Sequence, residues 1–491
     1  MAAKGARRGG GGSGFGARGT SPVQNDLLIR VAGRWALAIV IGLMVLVPAF
    51  DILLTGRDLG TFASLEVMTP SALSLRMLQA ASLSSVLLLL FILVTRGVLN
   101  FSHPRSQVSV VMIWAFCFYA VTNLFSPGLL GHIPGIERSL YYIVLLFLAV
   151  YALGDDAADT LIRSARNALC VLFLLSIVCS VLFPTLTLRF YNEELRLPLV
   201  PFRFWGLSSG PNSIAPLSLV LILLAWSMPF ARRWLQVLTM CVAGFVLLTA
   251  QSQTTWLAAF VILPLFALYR HDVRRYGYFR WRLSAGMVIL AAGLVLAGGV
   301  FVFSALMREA PSLVAPTGGL PEGMTDIVTG RSYIWAIAID TFLKYPMFGY
   351  GLTAWGPEFR AAIDMSFASH AHNQLMQALS VGGLTALVGL VVYLLAFVFV
   401  SRRVAAATGG LGPALVGLML IRCLSEVPLP LGNLLVHETF MHVLTFAVLA
   451  TASARSAIAI SQWQPSSDDD SDVYDARSST GRGRRRIRRR S

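Results

Sequence analysis

Charge is scarce in this chain. Only 13% of its 491 residues are Asp, Glu, Lys or Arg, against 56% that are hydrophobic. That balance excludes a soluble protein of this length and points to a polytopic membrane protein. Lysine is nearly absent, with two residues against 37 arginines; nucleotide bias in the source genome accounts for this without reference to function. Cysteine is sparse too. Cys117, Cys170, Cys179, Cys241 and Cys423 all lie in apolar runs. None forms a C-x-x-C pair or falls in an outer loop, which argues against a disulfide framework or a zinc site. No phosphate loop, G-x-G-x-x-G after a strand, H-E-x-x-H or D-x-D pair stands out. No cofactor, nucleotide or metal is therefore expected.

What is present is repeated apolar sequence. A run of about 18–25 residues is long enough to cross a bilayer core of roughly 30 Å. About twelve such runs are read, beginning near Trp35, Leu73, Val108, Ile136, Ser164, Leu207, Trp234, Thr254, Leu283, Val381, Leu411 and Val436. The expected fold is an all-α polytopic integral membrane protein. Residues 1–32 read as a disordered basic tail, 33–306 as spans one to nine, 307–382 as a long outer loop, 383–455 as spans ten to twelve, and 456–491 as a second tail. The first tail lacks the short apolar core and cleavage site of a secretory signal. The second ends in GRGRRRIRRR, a topology signal or a contact for anionic lipid headgroups.

Charge also orients the chain. With both ends cytoplasmic, the inner segments hold 28 of the 39 Lys and Arg residues and the outer segments 9. This is the positive-inside bias. The formal net charge of +15 thus reports topology, and its scatter over loops argues against nucleic acid.

Two outer segments break the pattern. One, Thr185–Ala215, carries Arg189, Arg196 and Arg203 and then Pro211-Asn212. Glu193 and Glu194 can pair with two of these arginines; Arg203 stands further off, beside Phe202, Phe204 and Trp205, and is open to an anion-binding role. The other segment, Met307–Gly382, is far longer than a median loop of about 4–6 residues. Its periodicity predicts a helix from Gly330 to Tyr345, with Ile334, Ile337, Ala338 and Phe342 on an apolar stripe and Arg331 and Trp335 on one face. Gly349-Tyr350-Gly351 predicts a tight turn, Pro357 a short helix, and His372-Asn373 the start of a helix that continues through Gly382-Gly383 into a span. Each feature also has an ordinary explanation. A lone interfacial histidine is often just a surface residue, tryptophans gather at that depth anyway, and a glycine turn needs no ligand.

The ordered set is more specific than its parts. Gly330-Arg331-x-x-x-Trp335, then Pro346-x-x-Gly349-x-Gly351, then His372-Asn373, preceded by Arg203-x-x-Gly206 and Pro211-Asn212, resembles the O-antigen ligase and polysaccharide polymerase family of bacterial envelope assembly. The resemblance covers about residues 200–400. One departure is Gln253, where many members carry a basic residue after the serine. The resemblance implies a metal-independent glycosyltransferase of the C-type membrane architecture in the inner membrane. Its donor would be a glycan on undecaprenyl diphosphate and its acceptor another glycan or lipid A core, with membrane lipids and polysaccharide assembly proteins as further partners. Arg331 and Arg203 would offset charge on the diphosphate. His372 would take the proton of the acceptor hydroxyl, with Asn373 orienting it and His370 as the second choice of base. Trp335, Gly349, Gly351, Arg189, Arg196 and Asn212 complete the expected substrate contacts.

Two other classes compete. A flippase or transporter of lipid-linked oligosaccharide keeps ionisable groups at mid-membrane; here most lie at span ends or in loops, with Arg422 and Glu426 the nearest exceptions. A peptidoglycan polymerase of the shape-elongation-division-sporulation type would use an outer-loop carboxylate as base, and Asp340 and Asp364 are available. The sequence leaves polymerase and ligase undivided, with polymerase of an exopolysaccharide or O-antigen preferred.

Overall fold

The computed structural model of the protein describes residues 22–60, 71–97, 107–135, 138–154, 157–190, 200–276, 327–363, 365 and 368–462. Over these residues the chain is almost wholly helical. Apart from short helical segments at Leu93–Gly97, Val121–Phe125, Ser126–Leu130 and Pro184–Thr187, the helices are α1 (Pro22–Thr55), α2 (Ala72–Ile92), α3 (Gln107–Ala120), α4 (Arg138–Leu153), α5 (Ala157–Leu182), α6 (Pro211–Ser227), α7 (Arg233–Thr249) and α8 (Gln253–Tyr276). They continue with α9 (Ile327–Lys344), α10 (Pro357–Ala362), α11 (Gln374–Arg403), α12 (Leu411–Cys423) and α13 (His437–Gln462). Between α5 and α6 a two-stranded antiparallel sheet pairs β1 (Leu188–Phe190) with β2 (Phe202–Phe204).

Six helical stretches are long and apolar enough to cross a membrane: Leu28–Thr55, Ala72–Arg96, Ser109–Leu130, Ala158–Leu182, Gln253–Val273 and Gln374–Arg403. Shorter apolar helices include Pro211–Ser227, Arg233–Thr249 and Leu411–Cys423. The fold is that of an all-α multi-pass membrane protein. The expectation of about twelve spans is met only in part by this set. The run expected from Leu283 lies outside the described residues, as do residues 1–21 and 463–491 of the tails.

The surface and the interior invert the pattern of a soluble protein. Trp35, Phe91, Val181, Phe260 and Leu395 face outward, as a hydrocarbon environment permits and water does not. Inside, α6 is buried almost all round, among α5, α7, α8 and α12. The aromatic pairs Phe116–Phe147 and Tyr119–Tyr393 stack with centroids 3.9 and 4.7 Å apart. They flank His442, whose Nε2 shares a 2.9 Å hydrogen bond with the Tyr393 hydroxyl.

The outer segment folds onto one end of this bundle. As its period predicts, α9 buries Ile334 and Ala338, here against Trp355, Phe359, Met365, Ala368 and Ala371. The chain then reaches α11, which departs from the expected continuous helix. Gly383 takes φ 63° and ψ −150°, splitting α11 into two pieces. Two amides at the break are satisfied from outside, Leu384 N–H by Pro346 O at 2.8 Å and Thr385 N–H by Met347 O at 3.2 Å, which offsets the helical bonds the kink costs.

Candidate active site

The first turn of α11 sets one wall. Asn373 is its N-cap, accepting the N–H groups of Leu375 at 2.9 Å and Met376 at 3.2 Å through Oδ1. Its amide nitrogen donates to Leu424 O at 3.0 Å. An Asn cap of this kind satisfies donors the helix cannot satisfy itself. His372, just before it, lies in the left-handed region at φ 49°, a conformation that costs non-glycine residues about 1–3 kcal/mol. Its neighbour Ala371 is strapped on both sides. The Ala371 N–H donates to Gln377 Oε1 at 2.8 Å, and Trp335 Nε1–H donates to Ala371 O at 2.9 Å. Trp335 thus serves the backbone that carries the histidine.

The loop after α12 sets the second wall and carries Glu426. This loop is pinned to the rest of the site at Leu429, whose N–H donates to Gln374 Oε1 at 3.1 Å and whose carbonyl accepts the Tyr119 hydroxyl at 2.7 Å. Glu426 is buried, at 8% exposure. Four groups meet its carboxylate. Arg331 Nη2 from α9 lies 3.0 Å and Asn212 Nδ2 from α6 lies 2.8 Å from Oε1. His370 Nε2 and His372 Nδ1 each lie 3.3 Å from Oε2. That exhausts the roughly four lone-pair directions of a carboxylate. The two imidazoles sit with centroids 4.0 Å apart.

Electrostatics follow from this geometry. Burial alone would raise the Glu426 carboxyl, but the hydrogen bonds of His370 and His372 and the charge of Arg331 more than offset it and hold it well below the usual carboxylate range. Glu426 is therefore an anion at neutral pH. Burial lowers the His372 imidazole below its ordinary value; Glu426 pulls the other way, while His370 and Arg331 add to the lowering. A neutral imidazole at pH 7 results.

A second charged group adjoins the first through Asn212. The Asn212 carbonyl accepts Arg422 Nη2 at 3.0 Å, and the same nitrogen lies 4.0 Å from Glu438 Oε1. The Ser213 hydroxyl also donates to that oxygen. His370, His372, Glu426, Asn212, Arg422 and Glu438 all line one cavity of about 1550 Å³. Its walls also include Leu78 and Leu83 of α2, with Leu124 and Tyr142, so a polar headgroup and an apolar chain could both find surface there.

The residues expected from sequence separate into groups. Arg331, His372 and Asn212 converge on Glu426. Trp335 and Asn373 hold the backbone around the histidine; the oriented contact to its ring comes from Glu426. Gly349 and Gly351 are wedged between two backbones: His132 and Ile133 donate to Gly349 O and Tyr350 O at 3.1 and 2.8 Å, while Tyr350 and Gly351 donate to Ser380 O and Val381 O at 3.0 Å each. A Cβ at Gly351 would stand 2.4 Å from Ile133 O. These glycines permit a close approach of backbones. Arg203 faces Arg189 across the β-pair, donates Nε–H to Ala250 O at 3.1 Å and is not among the cavity-lining residues. Arg196, Glu193, Glu194 and Asp364 lie outside the described residues. Asp340 makes an exposed 2.7 Å pair with Lys344. The central carboxylate, Glu426, stands outside the motif set read from sequence.

His370, His372 and Glu426 also form a set that could hold a metal ion, with one ligand atom from each within 4.8 Å of the others. Arg331 beside the same carboxylate disfavours a cation there, because it already supplies the compensating charge.

A multi-pass helical membrane protein with two histidines and a buried carboxylate on a cavity wall, the carboxylate paired with an arginine, is the class these observations define. A family model described as O-antigen ligase matches residues 237–391, so that segment is similar to this family. The match takes in Arg331, His370 and His372; Arg203, Asn212 and Glu426 fall outside it. No curated protein matches the chain.

Proposed function

We propose that the protein joins glycan units carried on undecaprenyl diphosphate at the outer face of the inner membrane, as a repeat-unit polymerase for an exopolysaccharide or O-antigen. The observation that carries this reading is His372 and Glu426 on the wall of a large cavity, with Arg331 paired to the same carboxylate, in a chain whose residues 237–391 match an O-antigen ligase family model. In this reading the chain crosses the membrane twelve times with both termini cytoplasmic, and the loop around Arg331 and His372 is outside. The arginine asymmetry supports that orientation.

The chemistry divides among few groups. His372 takes the proton of the acceptor hydroxyl as that oxygen attacks the anomeric carbon of the donor glycan. The bond from that carbon to the diphosphate breaks, and undecaprenyl diphosphate leaves with the electron pair. Arg331 compensates the charge that grows on the leaving group, and Arg203 would approach the same group from the β-hairpin side. No divalent metal is required.

The family's description favours a second reading, a ligase that moves the finished chain onto lipid A core. One reaction separates the two. Purified full-length protein, given lipid-linked repeat units alone, should build a ladder of longer lipid-linked glycans if it is a polymerase. A ligase would yield product only when lipid A core is added. Transbilayer movement of the donor with no new glycosidic bond would instead establish the flippase class.

A further inference from the structure

Glu426 is the one member of the cluster without an assigned role, and its contacts are selective. An ionised carboxylate only accepts hydrogen bonds. Its Oε2 lies 3.3 Å from both His370 Nε2 and His372 Nδ1, so each of those nitrogens carries the proton. The tautomers follow from this hydrogen-bond pattern. The lone pairs are then on His370 Nδ1 and His372 Nε2. The first is within 3.1 Å of the Ser369 hydroxyl; the second has no partner among the described residues. One carboxylate therefore presents two imidazoles and leaves only His372 with an unengaged acceptor nitrogen.

The other oxygen has a different neighbour. Glu426 Oε1 holds Arg331 Nη2 at 3.0 Å, and Arg331 is the cation that the transferase reading brings to the diphosphate. A guanidinium shared between a carboxylate and an incoming diphosphate will move toward the denser charge. Its departure leaves Glu426 facing the histidines with one compensating cation fewer.

We propose that Glu426 is the positioning carboxylate of this site: it aims His372 Nε2 at the acceptor hydroxyl and holds Arg331 until the donor's diphosphate draws it away. Donor binding thereby primes the base. While Arg331 sits on Oε1, its charge opposes a second positive charge on His372. Once Arg331 has turned to the diphosphate, the carboxylate is free to stabilise the imidazolium that forms as the acceptor proton transfers. The charged and titratable groups that face His372 are Glu426 from the loop after α12, Arg331 from α9 and His370 on its own segment. This inference rests on the transferase reading, and it predicts donor before acceptor.

The test uses full-length protein in lipid nanodiscs, with undecaprenyl diphosphate as the binding probe. Glu426→Gln should lower kcat by about 10²-fold or more, the scale on which a misaimed or wrongly tautomerised base fails. It should also move the acidic limb of kcat to lower pH, because the imidazolium loses its partner. Binding of undecaprenyl diphosphate should become tighter, since Arg331 no longer has to leave a carboxylate. A merely structural Glu426 would weaken the probe and lower protein yield together. Glu426→Asp should recover part of kcat and of the limb. Glu358→Gln removes another carboxylate from the same cavity wall; if it tightens the probe equally, the competition for Arg331 is overturned. If Glu426→Gln keeps wild-type kcat and pH limb while His372→Ala is dead, the positioning role is wrong and the transferase reading stands. If His372→Ala is active, another group is the base; if the wild-type protein forms no new glycosidic bond from lipid-linked repeat units, with or without lipid A core, the transferase reading itself fails.

Discussion

Glu426 and Glu438 make an instructive pair. Both carboxylates line the same cavity, both have an arginine beside them, and Asn212 touches both groups, through its amide on one side and its carbonyl on the other. Their partners differ. Around Glu438 stand Ser213 and Arg422, and Arg422, at 2% exposure, is also bound to a backbone carbonyl. These contacts form a strut joining α6, α12 and α13. Around Glu426 stand two imidazoles and an arginine that reaches in from a separate outer helix. The same residue type serves architecture at one end of Asn212 and chemistry at the other, and what separates them is that imidazoles bond the Glu426 carboxylate directly.

The largest effect that would break this contrast is at His372. His372→Ala should reduce transfer by about 10²–10⁴-fold at equal protein level, the usual contribution of a positioned base. His370→Ala should be milder, because its free nitrogen is engaged by Ser369. The reverse order of severity would move the base to His370. The pH profile sharpens the point. The reference histidine would place an acidic limb at about pH 6–7. Burial lowers the His372 pKa, and the base must be neutral, so activity is retained above the shifted pKa and lost as pH falls through it. The limb of kcat/KM, which reports the free enzyme, should therefore lie below that of the reference imidazole, and a limb above pH 7 in kcat/KM would contradict the assignment.

Arg331 comes next. Arg331→Ala should cost activity nearly as much as loss of the base, and Arg331→Lys should restore little, since an ammonium cannot reproduce the planar fork that meets both carboxylate and phosphate. Glycan length and yield at matched expression measure it. Arg422→Ala, by contrast, should act on the fold: it leaves Glu438 without its cation, and a melting temperature lowered by several degrees with kcat largely preserved in the folded fraction is the expected outcome. An Arg422→Ala protein of normal stability but no activity would place the strut in the chemistry.

Much of this arrangement was legible in the sequence. The period of α9, the proline start of α10 and the helix beginning after His372-Asn373 all follow from local pattern, because each is decided by residues close in the chain. The glycine turn was visible too, but its reason was not: the backbones that press on Gly349 and Gly351 come from residues 131–133 and 380–382, which no local rule connects. Glu426 is the instructive omission. It lies just past a short apolar run, with no motif around it, and its partners arrive from α6, α9 and the segment before α11. The available signal was its cost: an ionisable residue at the edge of a span needs a reason to be there. The kink at Gly383 was hidden likewise, since the carbonyls that rescue its broken hydrogen bonds belong to Pro346 and Met347.

The smallest effect is expected at Asp340, and it tests the contrast from the other side. Asp340 is the outer-loop carboxylate, among the described residues, that a peptidoglycan-polymerase mechanism would recruit as base. It lies on the exposed face of α9, paired with Lys344 at 2.7 Å, and both side chains are more than half exposed, at 61% and 63%. A pair of this kind contributes about 0.2–1 kcal/mol at most, and salt screens it further. A base must also reach a substrate, and Asp340 is not among the residues that line the cavity. Asp340→Asn should therefore leave transfer, its pH profile and protein yield within error of wild type. A dead Asp340→Asn variant at normal expression would mean that the loop carboxylate, rather than the imidazole aimed by Glu426, takes the acceptor's proton.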